Sequence, residues 1–569
     1  MATAGASEYD ADQKETAQAE TAQGETIERK EKKPWYDSFW PLGDRVDVHK
    51  LEDEYIPFQT EWGAQAPGKK AKAATSENPE ASEDLEGSED LEDSEDPQGT
   101  ETTRTIERAE KGWFTSLFGI GSQDGLKGDF SPGSSESATT TLPPRPDLFV
   151  EFGDPFLDTG QLDAGFHVPI IGAVWQPRLW SYFIYRTALQ TFDAGGDGSV
   201  RETEWANRLD LFVNLQLTGT EKILLGLRPL DENRPSEFTR YTFNGRGKEG
   251  FNEEFNYVPE TLFFEGDLGS LFPVLDQAGV IPIDFGFTVG RQPIVFQEGI
   301  LINDTLDALG FVRNNIPFAG TSNLRVSGLW AWNRVDRNDL RNTANADLFG
   351  LFINADTHTS TFNLDTIFIN DKSGPTDGLY FGFSAIQRMT LWGETVATAF
   401  RANASIALEE EVAGVPGNVI GDGVLLTAEF SKHPHGSDDI VYFNPFIAIG
   451  NYTQAGREAV VGGPLANTGI LFASPGLGNY LAEINPFTDD VVGYALGYQA
   501  FWDNNRRNLI LETAARYSYN GTGPDSVGFG AQLQQAVGRH VQLTFEAYYT
   551  INDGEKDGAG ARAEVQVVY

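Results

Sequence analysis

The chain ends in Val567-Val568-Tyr569, and the approach to that end alternates. Ala559, Ala561, Ala563, Val565, Val567 and Tyr569 fall on one face of an extended strand, and Arg562, Glu564 and Gln566 on the other, because strand side chains repeat with a period of two. A terminal aromatic closing an apolar/polar strand is the pattern of the last strand of an outer-membrane β-barrel. The same texture recurs back to about residue 175.

A chain of 569 residues exceeds what one soluble core normally holds. A barrel escapes that limit, because its wall grows by adding hairpins. The 61 glycines, the 12% aromatic content and the two methionines suit a barrel. With no cysteine, disulfide and thiolate-metal chemistry are excluded. The formal net charge of −42 argues against a nucleic-acid partner. Part of that charge sits in the acidic run Ser82–Asp96. No stretch of about 18 apolar residues provides a transmembrane helix. No secretory signal precedes the polar N-terminal sequence, so export of a barrel implies a mature form with an added Met.

Residues 1–145 are rich in Glu, Ser, Thr, Ala, Gln and Pro and predict a disordered acidic tail. Two aromatic islands interrupt it, at 34–44 and 112–121. Trp35-Tyr36-Asp37-Ser38-Phe39-Trp40-Pro41-Leu42-Gly43 is echoed by Trp113-Phe114-Thr115-Ser116-Leu117-Phe118-Gly119-Ile120-Gly121. In this reading Trp35, Phe39, Trp40, Trp113, Leu117 and Phe118 are docking anchors for a periplasmic or envelope protein. The competing reading packs them into the barrel mouth or onto each other. A lead-in segment, 146–174, follows.

From residue 175 to 569 short alternating segments are separated by turn signals. In 204–218, Trp205, Leu209, Leu211, Val213, Leu215 and Leu217 oppose Arg208, Asp210, Asn214 and Gln216. Segments 508–519 and 541–551 repeat the pattern. Roughly 18 strands fit, at about 22 residues each with a connection, and 16 is the other compatible count. Short and long connections largely alternate. The long ones fall near 230–256, 297–305, 334–346, 410–422 and 455–489. That parity predicts an even-stranded antiparallel transmembrane β-barrel with both ends in the periplasm. A soluble sandwich would show the same alternation, with the apolar face turned inward. The terminal aromatic, the hairpin parity and a girdle of Trp175, Trp332, Trp392, Trp502, Tyr517 and Tyr519 favour the barrel.

If the apolar face meets lipid, the polar face lines a lumen. Candidate pore-lining residues are Arg178, Arg186, Arg208, Asp210, Arg228, Asp284, Arg325, Arg401, Glu512, Arg516, Glu546 and Arg562. Opposed charges in a pore select permeants by charge and dipole. Each such Arg is otherwise a solvated or mutually paired wall residue.

The stretch Thr288-Val289-Gly290-Arg291-Gln292-Pro293-Ile294-Val295-Phe296-Gln297-Glu298-Gly299, followed by Ile302-Asn303-Asp304-Thr305-Leu306-Asp307, resembles the alginate-export barrels and related substrate-specific porins, as does Asp347-Leu348-Phe349-Gly350-Leu351. The resemblance implies an 18-stranded monomeric barrel with inward loops, and places Arg291 and Gln292 at the constriction edge. Alternation from Phe285, Phe287 and Val289 instead puts Arg291 on the lipid side, unless Gly290 hosts a bulge. The acidic balance also makes an anionic polysaccharide a poor cargo.

Asp193 to Glu204 approaches calcium-loop spacing, with Asp193, Asp197 and Glu204 as the candidate ligands of an outer-loop Ca²⁺. Gly195 replaces a usual ligand, and the flanks are strand-like. No nucleophile-elbow or phosphate-loop motif appears. The sequence therefore predicts an outer-membrane porin, not an enzyme. Small hydrophilic solutes would diffuse through it, and lipid and lipopolysaccharide would surround it. The alternatives are a barrel that tethers an envelope component through its tail, or a polysaccharide export channel.

Overall fold

The computed structural model describes Arg45–Val46 and residues 148–569, with interruptions at 154–164, 170, 197, 232–237, 246–248, 274–283, 339–341, 344, 373–375, 392, 409–418, 459–460 and 522. The tail motifs carrying Trp35, Phe39, Trp40, Trp113, Leu117 and Phe118 lie outside the described residues, as do Asp197 and Trp392.

Eighteen antiparallel strands close into one barrel. In chain order they are β1 (Arg178–Asp193), β2 (Glu202–Gln216), β3 (Lys222–Leu227), β4 (Pro259–Asp267), β5 (Phe285–Phe296) and β6 (Ile302–Arg313). There follow β7 (Asn323–Asn333), β8 (Ala346–Asp356), β9 (Ser360–Asp371), β10 (Gly378–Leu391), β11 (Glu394–Ala407) and β12 (Gly423–Lys432). The wall ends with β13 (Ile440–Gly450), β14 (Val491–Trp502), β15 (Arg507–Ser518), β16 (Ser526–Val537), β17 (Val541–Asn552) and β18 (Gly558–Val568). Closure runs through β18 and β1, from Ala559 opposite Asp193 to Val568 opposite Ile184. No edge is left, so every strand finds its hydrogen-bond partners inside the wall, as lipid requires.

The registers settle which face is which. Leu364, Leu511, Phe529 and Ile551 are exposed on the outer face, whereas Asp365, Glu512, Gly530 and Thr550 point inward beside them. A contiguous exposed apolar belt around a polar interior is the arrangement of a membrane-spanning barrel. Trp332, Trp502, Tyr517 and Tyr519 are exposed on that outer face, near strand ends, as expected of a girdle. Trp175 is not part of it. It pairs with Phe166 in a small hairpin of Gly165–His167 and Val174–Trp175, before β1 begins.

The third strand is interrupted. β3 pairs with the lower half of β2, and the upper half pairs with a hairpin formed by Arg240–Asn244 and Gly250–Asn252. The lead-in also joins the wall, since Val150–Phe152 pairs with β1 at Leu179–Ser181. Beside it the terminal Tyr569 exchanges both backbone hydrogen bonds with Phe183, stacks on that ring and stacks on His540.

The buried core of the described residues lies inside the barrel. One apolar cluster joins Ile294, Leu301, Leu306, Leu348 and Ile369, and another joins Phe446, Leu471, Phe472, Tyr480 and Ile484. Both form where loops fold back into the lumen. The wall prepares room for them. β16 alternates outward Val527 and Phe529 with inward Gly528 and Gly530, and a Cβ on Gly530 would lie 2.9 Å from Leu471 Cδ2.

Candidate functional site

Two inward segments constrict the lumen. The first is the turn after β5. Gln297, Glu298 and Gly299 all adopt positive φ, at 53°, 54° and 84°. Three consecutive left-handed residues reverse the chain sharply and drive it away from the wall, a strained conformation held only by surrounding contacts. Those contacts are present. Gln297 Nε2 donates to Asp365 Oδ2 at 2.6 Å, and Gln454 Nε2 donates to Gly299 O at 2.5 Å. Asn467 Nδ2 donates to Glu298 O, and Tyr452 OH to Ile300 O at 2.9 Å.

The second segment, 451–490, joins β13 to β14 and lies along the inner wall. Wall side chains grip its backbone. Arg186 Nη2 donates to Pro475 O at 2.9 Å, Arg208 Nη1 to Gly476 O at 3.0 Å, and Gln190 Nε2 to Leu477 O at 3.0 Å. Glu512 accepts from Ile470 N and Leu471 N, each at 2.9 Å, and from Tyr442 OH. Asn479 N donates to Glu204 Oε1 at 2.6 Å. These bonds consume the unpaired backbone groups that an irregular segment would otherwise bury.

The expected pore-lining charges are brought together, mostly as pairs. Arg186 meets Glu564 at 2.6 Å. Asp210 bridges Arg208 at 2.9 Å and Arg228 at 3.0 Å, and Arg228 reaches Glu458 of the inward segment at 3.0 Å. Arg562 contacts Glu564 at 2.5 Å and Glu546 at 3.0 Å, and its guanidinium lies over the Tyr480 ring. Arg516 is buried and donates to Phe487 O at 3.5 Å. Arg401 sits between Glu298, at 2.5 Å, and Glu429. Gln292 faces inward and donates to Ala308 O at 3.3 Å. Arg178 and Arg325 occupy the short-turn end of the wall, opposite Gln216 and Asn354, and Asp284 immediately precedes β5.

Arg291 does not join them. The register of β5 runs unbroken through Gly290 on both sides, so no bulge re-aims the side chain. Arg291 shares the outer face with Leu262 and Val289. There it forms a two-bonded pair with Asp307, at 2.8 and 3.2 Å, and donates to Pro259 O. The constriction residue of this segment is Glu298, seven positions further on.

Of the calcium candidates, the two among the described residues separate. Asp193 and Glu204 lie on opposite faces of the wall. Asp193 takes the Lys556 ammonium at 2.5 Å, and Glu204 accepts from Gln190 at 2.7 Å as well as from Asn479.

Two loop carboxyls are displaced from their ordinary range. Burial, reinforced by the Glu546 carboxylate, pushes Glu483 well above it. Burial also raises Asp336 to about 6, with Glu458 and Glu260 adding to the rise and Arg334 and Arg457 opposing it. Both groups hold a proton more firmly when the inward segments are packed.

No protein-family model matches the sequence, and no curated protein matches it. The alginate-export resemblance therefore rests on residues 288–307 and 347–351 alone. The chain is similar to solved Occ/Opd outer-membrane porins. OccAB3 of Acinetobacter baumannii matches with a TM-score of 0.45 at 11% identity, over 69% of this chain and 99% of that one. OccK5 (OpdH) and OccK2 (OpdF) of Pseudomonas aeruginosa each match with a TM-score of 0.44, at 10% and 11% identity, over 68% of this chain and 97% and 98% of theirs.

Proposed function

We propose that the chain is an outer-membrane porin for passive diffusion of small hydrophilic solutes. The carrying observation is a chamber of about 630 Å³ inside the closed wall. It is lined by Glu298, Arg388, Arg401 and Glu429 and reaches the periplasmic turn Thr357–Thr359. A space bounded by inward segments, with charged and hydroxyl groups set among apolar wall residues, replaces part of a solute's hydration weakly enough to let it leave. No covalent chemistry is needed.

Polysaccharide export fits less well, because residues 297–301 and 451–490 occupy the lumen and are bonded to opposite parts of its wall. The outer wall would contact lipid and lipopolysaccharide. The tail would enter from the periplasm, since β1 starts there, and would offer its aromatic motifs to an envelope partner.

The test is single-channel current in a planar bilayer with the full chain. Steady ohmic steps support the porin reading. Folded, inserted protein without conductance refutes it.

A further inference from the structure

The wall's ladder is interrupted on both sides of one short stretch, residues 253–258. β3 leaves β2 at Leu227, opposite Leu211, and the hairpin strand Arg240–Asn244 takes β2 up again only at Ala206. On the far side the β4–β5 ladder stops at Leu262, opposite Arg291, although β5 runs on to Phe296. Residues 253–258 lie between the hairpin strand Gly250–Asn252 and β4 and join no ladder. Their bonds are local. Glu254 N donates to Thr239 Oγ1 at 3.0 Å, Asn256 N to Pro229 O at 3.0 Å and Val258 N to Asn256 Oδ1 at 2.8 Å. Leu211 is mid-strand in β2, so the interruption begins at membrane depth. Irregular backbone is tolerated there only where protein buries it or where it lines a cavity.

The two faces of the stretch differ. Phe255 and Tyr257 stand out from the wall, 69% and 79% exposed, beside exposed Val258 and Leu262. Asn256 and Glu260 are buried, and Asn256 Nδ2 and Glu260 Oε1 meet no hydrogen-bond partner among the described residues. The charges behind them are already paired: Arg228 faces Asp210 at 3.0 Å, Glu458 at 3.0 Å and Asp231 at 3.7 Å. Above Leu262 a side chain takes over from the ladder. Arg291 Nη1 donates to Pro259 O at 2.8 Å while its other nitrogens hold Asp307, which also accepts from Asn333 Nδ2 at 2.7 Å. One guanidinium on the outer face thus ties the end of the irregular stretch to β6.

We propose that residues 253–260 form a lateral gate in the wall, latched by Arg291, between the lumen and the surrounding bilayer. It passes amphiphiles with an apolar body and an uncharged hydrogen-bonding head. The body meets Phe255, Tyr257 and Leu262, and the head satisfies Asn256 Nδ2 or Glu260 Oε1. A charged head is disfavoured, because it would lose its hydration among groups that already neutralise one another. Arg291 is a positioning residue, acting through Pro259 and Asp307 without touching the lumen. The gate goes beyond the porin reading, since its route ends in lipid.

The test uses the full-length protein in lipid vesicles with a single thiol, Asn256→Cys. The probe is N-(1-pyrenyl)maleimide, an apolar body with a neutral imide head that enters the bilayer. Reaction is expected in the otherwise unchanged chain, and at least about tenfold faster reaction with Arg291→Ala, the weight of one charge-assisted hydrogen bond. Arg291→Lys, which keeps a donor, should recover part of the slow rate. A thiol at Ala399→Cys, in the chamber, should react at a rate that Arg291→Ala leaves unchanged. Amide exchange needs no thiol and should quicken about tenfold over residues 253–260 in Arg291→Ala, with residues 526–537 unaffected. A thiol at 256 that bilayer probe never reaches, a rate indifferent to Arg291, or unchanged exchange overturns the gate. Conductance is not a readout here, so failure of the porin reading leaves this test intact.

Discussion

Glu512 is the residue whose loss should most directly free the inward segment. It stands on the inner face of β15, opposite Gly497 and Gly530, with one carboxylate oxygen at 2.9 Å from Ile470 N and the other at 2.9 Å from Leu471 N. Space around it is tight, since a Cβ on Gly469 would fall 2.4 Å from its Oε2. Glu512→Ala removes both backbone bonds and the one from Tyr442 and leaves the two amides facing an apolar methyl. Hydrogen bonds to a charged acceptor contribute about 1.5–3 kcal/mol each, and water in the lumen repairs part of the loss. A net weakening of about 3 kcal/mol is therefore reasonable for the two backbone bonds, which raises the local opening equilibrium about a hundredfold. Amide exchange over residues 468–472, followed by mass spectrometry, should accelerate by that factor. Residues 526–537 of the neighbouring wall should keep their protection. The channel current should become larger and noisier. Unchanged exchange at 468–472 would refute the reasoning, because burial of Leu471, Phe472 and Ile484 would then suffice to hold the segment.

Three further perturbations test the wall and the loops. The chain has no cysteine, so single thiols report cleanly; Ala399→Cys, lining the chamber, should react with a water-soluble thiol reagent at least about tenfold faster than Leu364→Cys on the outer face, and the reverse order would contradict the facing. Leu364→Arg places a guanidinium in the apolar belt and should cost about 2–4 kcal/mol in a denaturant titration from lipid vesicles, less toward the interface; a neutral result would argue against membrane exposure there. Asp336 titrates near 6 when packed and in the ordinary carboxylate range when released, so the packed state binds the extra proton. Packing is therefore strengthened as pH falls through about 6 and weakened above it, and Glu483 acts in the same direction. Conductance should fall on acidification from pH 7.5 to 5, and Asp336→Asn should flatten that part of the profile; a conductance that rises on acidification would show the sign to be wrong.

The wall was legible because its information is local. Alternation in 204–218, 508–519 and 541–551 marks strands that the structure places at Glu202–Gln216, Arg507–Ser518 and Val541–Asn552. Each strand had to be apolar on the lipid side whatever its neighbours did. The same rule assigned Arg291 to the outer face, and the register bears it out against the motif resemblance. Alternation is imposed by the solvent on each side, whereas a motif transfers a role only if the backbone around it is also shared. Trp175 misled for a related reason: an aromatic beside a strand end suits a girdle or a hairpin partner equally well, and only the ring of Phe166 decides it.

What stayed hidden depends on pairs far apart in sequence. Glu298 gains its place from a left-handed turn and from Arg401, neither of which leaves a local signature. The segment 455–489 was visible as a long connection, but its inward course was not. The available signal lay on the partner strand, where inward glycines at 528 and 530 leave room that nothing in β16 itself requires. Charge shows the same division. An acidic chain with arginines along its polar face suggests an ion-lined pore, yet Arg186, Arg208, Arg228 and Arg562 each sit against a carboxylate. Such pairs hold the wall to its loops and cancel much of one another's field. Selectivity then falls to the few charges left over, and those are recognised by subtraction after every partner is placed. Arg388 and the exposed carboxylates of Glu298 and Glu429 are what the subtraction leaves in the chamber.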